Sequence, residues 1–145
     1  MNRPSGHRAA GLYPKVRDLT PSECWALVTP GGVGRIGTTV DEGQVVLPVN
    51  YVVDDGEVVI RTTAYGLLGR LGPASEVAFE VDHLEKEMRA GWSVLLVGQM
   101  ERIDDPDEAA ALWRDRDPDP WVGGVRNLFL RIRPRRITGR RIERS

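Results

Sequence analysis

Residues 44–66 read QVVLPVNYVVDDGEVVIRTTAYG, two runs rich in Val, Ile, Tyr and Thr on either side of Asp54-Asp55-Gly56. Side chains that are aromatic or branched at Cβ suit a pleated, half-buried surface, and Asp-Gly supplies the positive φ that a tight reversal needs. The stretch therefore predicts a β-hairpin of residues 45–53 against 57–63. Pro48-Val49-Asn50-Tyr51 stands out within the first strand. Proline has no N–H to give a ladder and belongs at an edge, a bulge or an interrupted pairing, so a groove is expected beside that strand.

Before the hairpin, residues 33–40 alternate Val33, Arg35, Gly37 and Thr39 with Gly34, Ile36, Thr38 and Val40, a strand with one small-residue face. Asp41-Glu42-Gly43 turns it into the hairpin, and turns this short require antiparallel neighbours. Residues 76–82, EVAFEVD, alternate again with Val77, Phe79 and Val81 on one side. Residues 83–90 read as a charged loop. Residues 91–103 form a long strand, apolar on both faces at 94–97, which predicts a barrel interior on one side and an interface on the other. Residues 126–133 resume alternation, followed by Pro134 and a last stretch over 137–142.

Two helices punctuate the strands. Thr20-Pro21-Ser22-Glu23 has a capping hydroxyl, a proline at the first helical position and a glutamate placed to return the cap. Cys24, Leu27 and Val28 share one face of that helix, and Pro30-Gly31-Gly32 ends it. Asp105-Pro106-Asp107-Glu108 repeats the logic, its acids favouring the positive end of the helix dipole. Residues 64–72 carry a brief helical turn with Leu67, Leu68 and Leu71. Six antiparallel strands with two small helices predict a mainly β protein closed into a barrel, because closure removes exposed edges. Residues 1–18 mix Pro, Gly, Ser, Arg and Ala without period and read as a flexible lead-in; residues 19–145 read as one domain.

Composition excludes several classes of function. A net charge of -1 gives no strong pull toward nucleic acid, although arginines crowd the last fifteen positions. No apolar run is long enough for a membrane helix, no signal peptide is visible, and one cysteine forms no internal disulfide, so a cytoplasmic protein is expected. His83 follows Glu80 and Asp82, a spacing that matches no metal motif, and no metal is expected.

Taken in order, the capped LTPSECWALV helix, GRIGTTV, LPVNYVVDDGEVVIRTT, VAFEVD, GWSVLLVGQMERI and RIRPRRITGRRI resemble the pyridoxamine 5'-phosphate oxidase-like, FMN-binding split-barrel flavoproteins, in particular their nitroimidazole-reductase-like branch. The resemblance runs from Leu19 to Ile142. It implies a six-stranded split barrel that forms a homodimer, with a flavin at each end of the interface and both chains around it. It also implies site residues. Val49, Asn50 and Tyr51 fall beside the isoalloxazine, and Arg61, Thr62 and Thr63 reach the ribityl chain and phosphate. In the turn Tyr65-Gly66-Leu67 a leucine stands where the family commonly has a phosphate-binding lysine, leaving that charge to Arg61, Arg70 or an arginine of the partner. Trp121, in an irregular loop, is a candidate to reach a neighbouring pocket.

The implied function is a flavin-dependent oxidoreductase that passes reducing equivalents to a small organic substrate, with FMN as cofactor. FAD or a deazaflavin coenzyme are the alternatives, as is a non-catalytic barrel that binds a flavin, haem or tetrapyrrole. Beside these roles stand plainer ones: Thr62 and Thr63 have good strand propensity, Trp92 and Trp121 have the bulk of core or interface residues, and Tyr51 has the character of a rim residue. Asn50 is harder to explain that way, since asparagine is depleted from strands.

Overall fold

The hairpin that the Asp-Gly turn predicts is present in the computed structural model, which describes residues 15–62, 66–71, 75–115 and 128–143. Strands β3 (Gly43–Asp54) and β4 (Glu57–Thr62) reverse through Asp55 at φ 50 and Gly56 at φ 71, two successive positive values of the kind that match strand twist in a two-residue hairpin. Ahead of them come β1 (Lys15–Leu19), α1 (Pro21–Val28) and β2 (Gly32–Val40). After them come a 3-10 turn (Leu68–Arg70), β5 (Ser75–Glu85), β6 (Ala90–Arg102), α2 (Pro106–Asp115) and β7 (Leu128–Glu143).

All pairings are antiparallel, in the order β1-β7-β4-β3-β2-β5-β6, and β6 pairs back onto β7. Six strands thus close a ring, and β1 is a seventh, laid along the far end of β7. This corrects the expected count of six. Residues 15–18, read as lead-in, are a strand whose Arg17 bridges to Glu23 at 3.0 Å and to Glu143 at 3.4 Å. Two further differences lengthen strands. The charged segment 83–90 is mostly hairpin, with β5 running to Glu85 and β6 starting at Ala90. Pro134 does not divide the last strand, because a bulge between Val97 and Gly98 absorbs the irregularity.

One edge of β7 is shared: β4 takes residues 128–132 and β1 takes 139–143, while β6 follows the other edge. Inside the ring lie Ile36, Val58, Ile60, Val77, Phe79, Val94, Leu96 and Ile132, all buried. Phe79 meets Tyr51 edge-on at 5.1 Å and 76°, and the Tyr51 hydroxyl donates to the Val28 carbonyl at 2.8 Å, joining the barrel to the end of α1. Burial pushes the Tyr51 phenol up to about 12.

The cap of α1 is reciprocal, as its sequence predicts: Glu23 N–H donates to Thr20 Oγ1 at 3.2 Å and Thr20 N–H to Glu23 Oε1 at 3.0 Å. The Thr20 backbone bond, then Arg17, holds the Glu23 carboxyl below its ordinary value. Cys24 is fully buried against Gly139, a core residue as its surroundings in sequence imply. A second, smaller core of Val59, Ile103, Leu112 and Phe129 lies outside the ring, where α2 covers the outer face of β4 and β7. The outer face of β2, β5 and β6 has no such cover among the described residues.

Candidate functional site at the fork between β3 and β4

β3 pairs with β2 over its whole length from Gly43 to Tyr51, but with β4 only over residues 51–54. Before Tyr51 no described strand lies along its second edge. Main-chain groups alternate sides along an antiparallel strand, so part of this segment turns polar backbone onto that edge. Pro48, paired to Arg35 of β2, sits in it, which accounts for a proline inside a long strand.

Side-chain alternation divides the expected ring contacts. Val46, 69% exposed, Pro48 and Asn50 face outward; Val49 packs against the core, and Tyr51 is buried at 2% exposure. Tyr51 therefore presents main chain at this edge, its ring being engaged with Phe79 and Val28.

On β4, Arg61 pairs in register with Phe129, whose ring lies in the outer core under α2, so Arg61 also faces outward. The β3–β4 register ends at Tyr51 and Ile60, so Asn50 and Arg61 are the first positions beyond it, one on each arm of the fork. The fork thus brings together an amide, a guanidinium and a strand edge. Thr62 is buried and faces inward, opposite Leu128.

Arg70 is elsewhere. It lines a cavity of about 520 Å³ with Leu67, Leu71, Thr39, Asp41 and Glu42, at the β2–β3 turn. Asn50 pairs toward Val33 and Gln44 toward Thr39, so that turn is at the opposite end of the strand pair, roughly 20 Å away at the rise of a strand. Gly66, just before it in the chain, is half-buried, as is Leu67. Thr63, Tyr65 and Trp121 lie outside the described residues. Trp92 packs against the core, and His83 pairs with Glu85 at 3.4 Å on the surface.

Two charge clusters escaped the sequence reading. Arg131, only 13% exposed, is met by Glu57, Glu101 and Glu108, which ties β4, β6 and α2 to β7. On the bare outer face, Arg35 bridges to Glu80 at 3.2 Å and to Asp82 at 3.1 Å. Burial, then the neighbouring Asp82 carboxyl, pushes Glu80 up to about 7. A carboxyl whose folded-state value is raised binds its proton more tightly in the folded chain, so this group's contribution to stability declines as pH rises from about 4.5 toward 7. The visible signal was the acid at every second outward position, Glu80 and Asp82; the arginine between β3 and β5 was not visible.

A profile of the family described as Pyridoxamine 5'-phosphate oxidase matches residues 20–141 of the sequence. The chain belongs to the pyridoxamine 5'-phosphate oxidase family. An uncharacterized protein of Mycobacterium tuberculosis, Rv0080, is 32% identical over 133 residues, 88% of this chain and 86% of its own. Among solved structures, the FAD binding protein from Mycobacterium smegmatis is 31% identical with a TM-score of 0.67, covering 88% of this chain and 98% of that one. A conserved protein of unknown function from Corynebacterium diphtheriae, DIP1874, is 30% identical with a TM-score of 0.72 at the same coverage, 88% and 98%. The ring with its flanking helices is thus the split barrel of this family. No helix among the described residues is long and apolar enough to cross a membrane.

Proposed function

We propose that this member of the pyridoxamine 5'-phosphate oxidase family is a homodimeric flavin-binding oxidoreductase that exchanges reducing equivalents between its flavin and a small organic substrate. The observation that carries this reading is the fork itself, where Asn50 and Arg61 are the first residues past the last β3–β4 pair, one on each arm, beside a strand edge. A flavin needs polar groups along one rim of its ring and a cation or hydroxyl for its phosphate, and this donor set fits both. Asn50 and the backbone of residues 48–51 would hold the ring, and Arg61 the phosphate. Thr63, Tyr65, Gly66 and Trp121 complete the proposed set; Thr62, which faces inward, and Arg70, which lies at the β2–β3 turn, are left out of it. The bound flavin would supply the electron transfer; the chain positions it and excludes water.

The FAD binding relative supports a flavin, with FMN first and FAD or a deazaflavin as alternatives. The lone buried Cys24 suits a reducing cytoplasm.

With Leu67 in the turn after β4, Arg61 bears the phosphate charge. Arg61→Ala is expected to weaken FMN or FAD binding about 10- to 100-fold, the worth of a charge-assisted hydrogen bond, with an unchanged far-ultraviolet circular dichroism spectrum. Fluorescence titration measures this, and equal affinity for both proteins would remove Arg61 from the site.

A further inference from the structure

The small core outside the ring is fastened to the sheet at one charged point. Along one face of α2, Ala109 and Leu112 pack with Val52, Val59, Ile103 and Phe129, and the Glu108 carboxylate accepts a hydrogen bond from the Arg131 guanidinium. Among the described residues no other side chain of α2 makes an ion pair with the sheet. Three carboxylates surround Arg131, but only Glu108 depends on it. Glu57 and Glu101 lie 3.5 and 3.7 Å from Arg131, and Arg133 meets them more closely, at 2.9 and 3.1 Å. The Arg131 Nε is buried without a hydrogen-bond partner. Keeping a guanidinium from water costs free energy, and Arg133 already ties β4 and β6 to β7 at the surface. What the mostly buried arginine adds is its hold on α2.

The registers put that hold next to the fork. On the outer face Val59 pairs with Arg131 and Arg61 with Phe129, so Arg61 is the next outward residue of β4 and has Phe129 as its neighbour on β7. Phe129 is fixed in turn by Ile103, whose N–H donates to the Phe129 carbonyl at 3.0 Å, and by Leu112 of α2. Arg61 is half-buried at the margin of this core.

We propose that Arg131 is a positioning residue for the flavin phosphate: by holding Glu108 it seats α2 on Phe129, and the seated ring directs Arg61 toward the fork. The inference rests on the flavin reading above and adds to it how the phosphate cation is aimed. An arginine that samples many rotamers loses entropy when a ligand fixes it, and one already walled on one side loses less. Unseating α2 therefore weakens the hold on the phosphate and leaves the contacts of the flavin ring as they were.

The test is a double-mutant cycle of Glu108→Ala with Arg61→Ala, read as affinity for FMN and for riboflavin, which has the ring and ribityl chain but no phosphate. Glu108→Ala is expected to weaken FMN binding about 5- to 10-fold and riboflavin binding less than about 2-fold. Once Arg61 is alanine, the same change is expected to alter FMN affinity less than about 2-fold. A loss shared equally by riboflavin, or one that persists undiminished beside Arg61→Ala, makes Glu108 and Arg131 parts of the scaffold alone and overturns the proposal, as does no loss at all. A wild type that binds neither compound overturns the flavin reading itself, and this inference with it. The seating of α2 is read without flavin by hydrogen exchange. Faster exchange over residues 106–115 in Glu108→Ala is expected, and unchanged exchange overturns the hold on α2 while leaving the flavin reading in place.

Discussion

Gly98→Ala is expected to destabilise the protein by about 3 kcal/mol or more, a fall of roughly 6–12 °C in Tm for a chain of this size. Gly98 lies at the bulge where β6 crosses onto β7. A Cβ there would stand 2.1 Å from the Arg133 carbonyl oxygen and 2.8 Å from Pro134 Cα. Both are backbone atoms in the strand that also carries β4 and β1, so relief requires shifting the ladder and not a side chain. Gly37→Ala is the control. Its Cβ would meet Ala78 Cβ at 3.9 Å, an ordinary contact, and a change within about 0.5 kcal/mol is expected. Urea unfolding of both variants decides it, and equal stabilities would show that the β6–β7 approach is looser than described.

Phe79→Ala is expected to cost about 3–5 kcal/mol, the range for removing a fully buried aromatic side chain. The ring sits between β2 and Tyr51: a Cβ added at Gly34 would lie 2.3 Å from Phe79 Cζ, and the ring meets Tyr51 at 5.1 Å. Collapse into the vacated space is restrained because Tyr51 is tethered to Val28 through its hydroxyl. The loss therefore combines transfer free energy, cavity and ring contact. Phe79→Leu, which retains most of the volume, should recover more than half of it. A loss below 1 kcal/mol for the alanine variant would mean that β2 and β3 close over the gap, contrary to a core held by the Tyr51 tether.

Both expectations concern positions that look ordinary in sequence. Gly37 and Gly98 are each one glycine in a strand of alternating residues, and only the crossing of β6 on β7 makes one intolerant. By contrast, the Asp55-Gly56 turn and the Thr20–Glu23 cap are local chemistry, complete within four residues, and were legible at once. The strand at 15–19 was not, because what holds it is remote: Arg17 reaches Glu143 across 126 positions. The same distinction governs the site. Tyr51, read from sequence as a cofactor contact or a rim residue, is instead buried on the inward side with Val49, because its ring is held by Phe79 and its hydroxyl by Val28. That Asn50 and Arg61 stand on the two arms of one fork depended on register, and that Arg70 belongs to the β2–β3 turn depended on how the chain returns after β4. Asp82 and Arg140, fifty-eight positions apart, come to flank the same residue, Ser93, only because β5, β6 and β7 lie side by side.

A flavin held at the β3–β4 fork would give this split barrel a visible colour. The most direct measurement is the visible absorption spectrum of freshly purified protein, followed by mass identification of what is released on denaturation. Flavin bands with FMN or FAD released are the expected result. A colourless protein that takes up neither FMN, FAD nor a deazaflavin on titration would contradict it.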